Sequence, residues 1–339
     1  MPIAKIGRVR APAERDTPGM ANQDDAIRAS EKTVRLLTLD DLELRGSSRD
    51  DVRRQVAARM LVRVRRGTFV DAAEWDAQYI EGRHRARARA YASRSPETIF
   101  ALETAAAQHK LPLFRVKEER LQTVTLGRAA SSTKNVMRHR VAVDDADVVM
   151  ADGIHVTSLS RTVFDLIRKL PYDAGVAVAD AALRRAAEIR SGGADELRAK
   201  VTERLERSPG ARGVRRARVV LAFADGRSGS AGESASRWSL RVIGFRDFEL
   251  QVPFDGPDGQ VYEVDLRFDR NLGEFDGEVK YSDPAFLSGR TPRQALLDEK
   301  ERGDWIRGRS RDPYVRWMDR HIHTVDTLRQ RLERFGIRP

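Results

Sequence analysis

An α+β chain of more than one domain is the fold class that this sequence predicts. Two observations carry it. The 339 residues exceed what one small hydrophobic core usually organises. Stretches with a helical apolar period also give way repeatedly to short stretches of period two, between turn-forming residues.

Taken in order, residues 1–32 mix Pro, Gly, Asp and Arg with no sustained apolar period, which predicts a mobile leader and leaves Met20 as a second candidate start. Residues 33–75 form the first expected domain. Leu39, Leu42 and Leu44 predict a short helix that Gly46 ends, and Ser47 or Ser48 can cap a second helix carrying Val52, Val56 and Met60. Leu61, Val62, Val64, Phe69 and Val70 then alternate around Arg65-Arg66-Gly67, the pattern of a small β-hairpin. Residues 76–205 predict a small α+β middle domain, with the Arg/Ala alternation from Arg83 to Ala90 read as a linking helix and Arg161 and Asp165 spaced to pair across one turn of a later one. Ser208-Pro209-Gly210 breaks the chain again, and residues 210–339 form the last domain. There the pattern predicts helices over 211–224 and 230–242, strands between Phe248 and Tyr281, a helix over 291–307, a strand over 314–318 and a closing helix from Thr324.

Composition narrows the function. Lys and Arg number 62 against 51 Asp and Glu, a net charge of +11 that favours polyanionic partners. There is no cysteine, which removes disulfides, thiolate metal sites and cysteine nucleophiles together. No apolar run approaches the roughly 20 residues of a membrane span, and the amino terminus lacks a secretory apolar core, so a cytoplasmic protein without membrane contact is expected. No phosphate-binding G-x-x-x-x-G-K-[ST] loop is present.

Between Val52 and Val70 stand six arginines, Arg53, Arg54, Arg59, Arg63, Arg65 and Arg66, and no acidic residue. A basic helix followed by a basic hairpin is the charge layout of a winged helix, in which the helix enters the major groove and the wing meets phosphate or the minor groove. Double-stranded DNA is therefore the expected partner.

The last domain inverts this balance. From Ala231 to Tyr281 there are eleven acidic and six basic residues. V-Y-E-V-D-L-R-F and L-G-E-F-D-G-E-V-K-Y predict an antiparallel hairpin turning at Asp269-Arg270-Asn271. Alternation then puts Glu263, Asp265 and Arg267 on one face of the first strand and Glu274, Asp276, Glu278 and Lys280 on one face of the second, with Asp265 opposite or diagonal to Glu274 and Asp276. Carboxylates crowded in this way repel unless a cation neutralises them, and Mg²⁺ (or Mn²⁺) is the expected cation. Asp265 and Glu274 are expected to hold it. Asp276 shares it or positions water, and Lys280 assists the nucleophile.

These residues carry two resemblances. Arg54 to Phe69, R-Q-V-A-A-R-M-L-V-R-V-R-R-G-T-F, resembles the winged helix of AbiEi-type antitoxins, with Arg59-Met60 where a glycine is common. The stretch I-H-V-T-S-L-S-R-T-V-F-D-L resembles that family's second domain. The carboxyl-terminal domain resembles the PD-(D/E)XK nucleases, in the branch related to very-short-patch-repair endonucleases, through Asp265 and Glu274-Phe275-Asp276-Gly277 with Lys280 following. Glu233 looks like that family's helix-borne acid and Gln251 sits where a Gln is frequent. Glu278-Val279-Lys280 also spells a literal E-x-K, so both assignments stay open. The resemblance implies a restriction-endonuclease-like α/β domain with a mixed sheet, hydrolysing phosphodiester bonds. Its rivals are an antitoxin or transcriptional repressor with a cognate toxin, whose nuclease fold is catalytically silent, and an RNA-processing module.

Overall fold

The computed structural model describes residues 33–125, 131–277 and 291–339, so the expected leader over 1–32 and both Glu278 and Lys280 lie outside the described residues. The fold is α+β, as expected, with several small sheets and one mixed sheet.

The amino-terminal unit begins with β1 (Leu37–Thr38), α1 (Leu39–Leu44) and α2 (Arg49–Ala57), then the hairpin β2 (Leu61–Arg65) and β3 (Thr68–Asp71), in a sheet of order β1-β3-β2. Both helices start at capping boxes. Thr38 and Ser48 accept the N–H groups of Asp41 and Asp51, whose carboxylates bond back to the cap residues. Leu37, Leu42, Val52, Leu61 and Phe69 make its small core.

After α3 (Ala72–Asp76), α4 (Ile80–Ala92) realises the linking helix. Its alanines are buried on two sides: Ala86 packs with Val70 and Trp75 of the first unit, while Ala88 and Ala92 pack with Phe100, Leu121 and Val156 of the next. A methyl side chain lets both neighbours approach the helix closely, which explains why alternation rather than a single apolar stripe appears in the sequence.

The middle of the chain holds α5 (Leu102–Gln108), the parallel pair β4 (Leu121–Val124) and β5 (Val136–His139), the antiparallel pair β6 (Val148–Ala151) and β7 (Ile154–Thr157), and the helices α6 (Leu159–Lys169), α7 (Tyr172–Ile189) and α8 (Gly193–Glu206). The expected Arg161–Asp165 pair is present at 2.8 Å, and Asp147 accepts from both Arg161 and Arg204. The next helix, α9 (Val214–Phe223), packs into this same core: Val214, Ala217, Val220 and Leu221 join Leu166, Ile167, Val176 and Leu197. The apolar core thus runs past the sequence break near Gly210, because that break is an exposed turn on the surface of a continuous helical layer.

α10 (Ala231–Ile243) leads into the mixed sheet of β8 (Phe248–Asp255), β9 (Val261–Phe268) and β10 (Asn271–Asp276), completed by α11 (Pro292–Arg309), β11 (Tyr314–Met318) and α12 (Val325–Glu333). The strand order is β11-β10-β9-β8, antiparallel except for the parallel β10–β11 pair. α10 lies close against β10. A Cβ at Gly232 would sit 2.0 Å from the Phe275 ring, so only glycine permits that approach. A buried ion pair joins α10 to α7: Arg237 donates to Asp180 at 2.8 Å and to the Phe223 carbonyl at 2.8 Å.

Candidate functional site

Two groups of side chains were expected to act, and each is placed differently from the simple sequence picture. In the amino-terminal unit the six arginines divide by partner. Arg53 pairs with Asp50 at 2.7 Å, Arg54 with Asp51, and Arg59 with Asp76 at 3.4 Å. These acids flank the acid-free window from Val52 to Val70 and fold back on it. The arginine side chains stay about 76–80% exposed, so such pairs are worth little and yield readily to a phosphate. Ser48 holds the Asp51 carboxyl at about 2, chiefly through its hydroxyl, so that acid stays charged under all ordinary conditions. Arg65 has a structural task, donating to the Ala90 and Tyr91 carbonyls at 3.3 and 2.7 Å and lying over the Tyr91 ring at 4.2 Å. Arg63 and Arg66 are exposed and form no ion pair within the described residues.

Beside the wing opens a cleft of about 610 Å³, between β2 and the β4–β5 pair. Arg63, Arg87, Arg120, Lys134 and Arg138 line it together with one acid, Glu119. Positive charge therefore continues from the wing onto the middle of the chain, a layout that the sequence count of the wing alone did not show.

The acidic hairpin forms as expected, and Glu263, Asp265 and Arg267 share a face of β9. The pairing with β10 stops early. Leu272 stands opposite Arg267 and Gly273 opposite Leu266, and there the β9–β10 ladder ends. At the next rung the Asp265 carboxylate accepts the Phe275 N–H at 2.8 Å. A side chain has taken the place of a backbone partner, and β10 is committed instead to its other neighbour, β11, where Glu274 stands beside Arg316 and Asp276 beside Met318.

Glu274 is 3% exposed and its two oxygens accept from Arg302 at 2.6 and 3.1 Å, with the Tyr314 hydroxyl donating at 2.6 Å. Asp276 receives both sides of the Arg316 fork at 2.8 and 2.6 Å, and Arg316 also reaches Glu299 at 2.7 Å. Burial is the largest single influence and would lower the pKa of both arginines; Glu274, Glu299 and Tyr314 together outweigh it for Arg302, and Asp276, Tyr314 and Glu274 for Arg316, so both are raised. Burial and the Glu274 charge push Tyr314 upward, which keeps its proton in place as a donor. The electrostatic problem of the crowded carboxylates is thus met by two guanidinium groups and a phenol.

Glu233 stands apart from that network. Ser230 caps α10 by accepting the Glu233 N–H, and the Glu233 carboxylate turns back to accept from Gly229 N–H at 2.7 Å and from Gln251 at 3.3 Å. Gln251 has φ +53° and falls at the position on β8 that faces Asp265, between the rungs Leu250–Leu266 and Val252–Val264.

Among the described residues, no group of three His, Asp or Glu side chains lies close enough together to hold a metal ion. Within the described residues Glu274 and Asp276 face guanidinium groups, while the Asp265 carboxylate accepts a backbone N–H. Sequence reasoning missed Arg302, Tyr314, Arg316 and Glu299. The available signals were the i, i+3 spacing of Glu299 and Arg302 on a helix and the alternation of Tyr314 and Arg316 on a strand.

No known family profile matches the chain. It is 33% identical over 149 residues to "Uncharacterized protein Rv2248" of Mycobacterium tuberculosis (strain ATCC 25618 / H37Rv), covering 43% of this chain and 52% of that protein. "Uncharacterized protein MT2308" of Mycobacterium tuberculosis (strain CDC 1551 / Oshkosh) gives the same identity and coverage. The chain thus spans about half the length of the curated relatives it matches.

Proposed function

We propose that this protein is a DNA-binding regulator of the AbiEi antitoxin kind, in which the nuclease-like carboxyl-terminal domain is a scaffold rather than a catalyst. The single observation that carries this reading is the saturation of Glu274 and Asp276 by Arg302, Tyr314 and Arg316. A buried carboxylate already matched by a forked guanidinium gains little from a divalent cation, which would have to displace that partner and strand its charge. The DNA-binding half of the reading is supported by the capped helix, the exposed Arg63 and Arg66 of the wing and the cationic cleft beside them. In a regulator of this kind the partner is duplex DNA upstream of the gene, with a cognate toxin as a second partner.

The test is a mobility-shift titration of the full chain on the DNA upstream of its own gene, in EDTA. Retention of a discrete, salt-sensitive complex without divalent cation supports the proposal. Binding only with Mg²⁺, or no preference over unrelated DNA, would overturn it. The rival, an endonuclease, is favoured by Glu233, Gln251 and Asp265 gathering at the β8–β9 side of the sheet outside the arginine network, and it predicts strand cutting.

A further inference from the structure

A cavity of about 550 Å³ opens where the end of β5 and the start of α5 meet the last turn of α6 and the start of α9. Arg168, Lys169, Arg212 and Arg216 line it with one acid, Asp165. Lys169 is committed, donating to the buried Glu103 at 2.6 Å. Asp165 is matched by Arg161 at 2.8 Å, and Arg168 approaches it only to 3.8 Å. The other bonds of the lining arginines run to neutral acceptors: Arg168 donates to the Arg212 carbonyl at 3.0 Å, and Arg216 to the Lys169 and Leu170 carbonyls at 3.2 and 3.1 Å. A carbonyl fixes where a guanidinium stands without cancelling its charge. Arg212 is exposed and forms no ion pair among the described residues. Because Asp147 is shared by Arg161 and Arg204, the group counted with every ion-pair partner holds six cations against three acids, Glu103, Asp147 and Asp165. Such an excess of like charge at one cavity repels unless an anion enters. The crowding is also built in. A Cβ at Gly213, where φ is +84°, would lie 2.2 Å from the Arg168 carbonyl oxygen, so only glycine lets the start of α9 close onto the end of α6.

The chemistry of the lining defines the occupant. Forked guanidinium groups match the oxygens of a phosphoryl group. The volume exceeds what one phosphate fills and lies within the range of small-molecule sites. His139 adds an acceptor. The Gln122 amide donates from Nε2 to the Arg120 carbonyl at 3.0 Å, so its Oε1 accepts from His139 Nε2 at 2.7 Å. The neutral ring then keeps Nδ1 as an acceptor, which has no partner among the described residues and suits a hydroxyl. We propose that this cavity binds a sugar phosphate, its phosphoryl group on Arg168, Arg212 and Arg216 and a sugar hydroxyl on His139. Duplex DNA on the wing would lie elsewhere. Arg138 lines the cleft beside the wing, while His139, the next residue of β5, lines this cavity, and successive strand residues point to opposite faces. The sugar-phosphate site is therefore independent of the DNA-binding reading.

The full chain is titrated by calorimetry and in a thermal-shift assay with glucose 6-phosphate, fructose 6-phosphate, ribose 5-phosphate and glycerol 3-phosphate, and separately with glucose, sulfate and inorganic phosphate. At least one of the phosphorylated sugars is expected to bind saturably at a single site and to raise the melting temperature, with an affinity about tenfold or more above that of inorganic phosphate, while glucose does neither. Arg212→Gln removes an exposed charge that has no ion-pair partner among the described residues. It is expected to weaken the sugar phosphate about tenfold without lowering the melting temperature of the free protein. No binding of any sugar phosphate at millimolar concentration, equal binding of inorganic phosphate, sulfate or glucose, or undiminished binding by Arg212→Gln would each overturn the proposal.

Discussion

Arg302 on α11 grips both oxygens of Glu274 on β10, and the side chains of the two are about 6% and 4% exposed. Water cannot take the place of either partner at that depth. Arg302→Met should therefore strand a buried carboxylate beside Tyr314 and cost about 3–5 kcal/mol, read as a fall in the urea midpoint with an unchanged slope. The double variant Arg302→Met with Glu274→Gln should recover a large part of that loss. A single variant as stable as the parent would show that the pair is not closed in solution.

Arg59 makes the opposite case. It occupies the left-handed region with φ +54°, where a side chain costs about 1–2 kcal/mol, and its pair with Asp76 is long and exposed. Arg59→Gly should thus stabilise the protein by about 0.5–1 kcal/mol, once the extra freedom of glycine in the unfolded chain is subtracted. Loss of stability would mean that the Asp76 contact contributes more than its exposure suggests.

In the wing, Arg63→Ala and Arg66→Ala should weaken DNA binding and lower the slope of log affinity against log salt by about 0.9 for each phosphate contact removed. Arg65→Ala should instead lower thermal stability, since it frees two carbonyls of α4. Unaltered salt slopes for the first two would remove the wing from the interface.

Acid should destabilise the middle of the chain. Burial lowers the pKa of His84, His109 and His139 below the ordinary 6.5, so the folded protein keeps them neutral where the unfolded chain would protonate them. The unfolded state then binds more protons below about pH 6.5, and stability, complete above that value, is lost as pH falls. His84 shows why: it donates from Nε2 to the Glu118 carbonyl at 2.8 Å and accepts at Nδ1 from Thr104, whose hydroxyl oxygen is taken by the Gln122 N–H. Urea midpoints measured from pH 8 to 5 should be flat above pH 7 and fall below 6.5. A midpoint that rises on acidification would contradict the neutral assignment.

Local signals made much of this fold legible. Leucine spacing and Gly46 marked α1, a capping serine marked α2, a turn marked the wing, and the Tyr314–Met318 run matched β11 end to end. Period two also placed Glu263, Asp265 and Arg267 on one face of β9. What periodicity does not encode is the neighbour a strand will choose. The sequence reading paired the acidic end of β10 with β9, next to it in the chain. The folded protein pairs that end with β11, some forty residues later, and so delivers Arg316 beside Glu274. The acid-free window in the wing misled for a related reason, because Asp50, Asp51 and Asp76 return to it from outside.

The most direct measurement is a cleavage assay on plasmid and short duplexes with Mg²⁺, Mn²⁺ or EDTA, using the full chain and its Asp265→Ala variant. If guanidinium groups have taken the place of a metal at the acidic strands, all three conditions should leave the DNA intact and both proteins should still bind it. Metal-dependent cutting that disappears in Asp265→Ala would contradict the account and restore the enzyme.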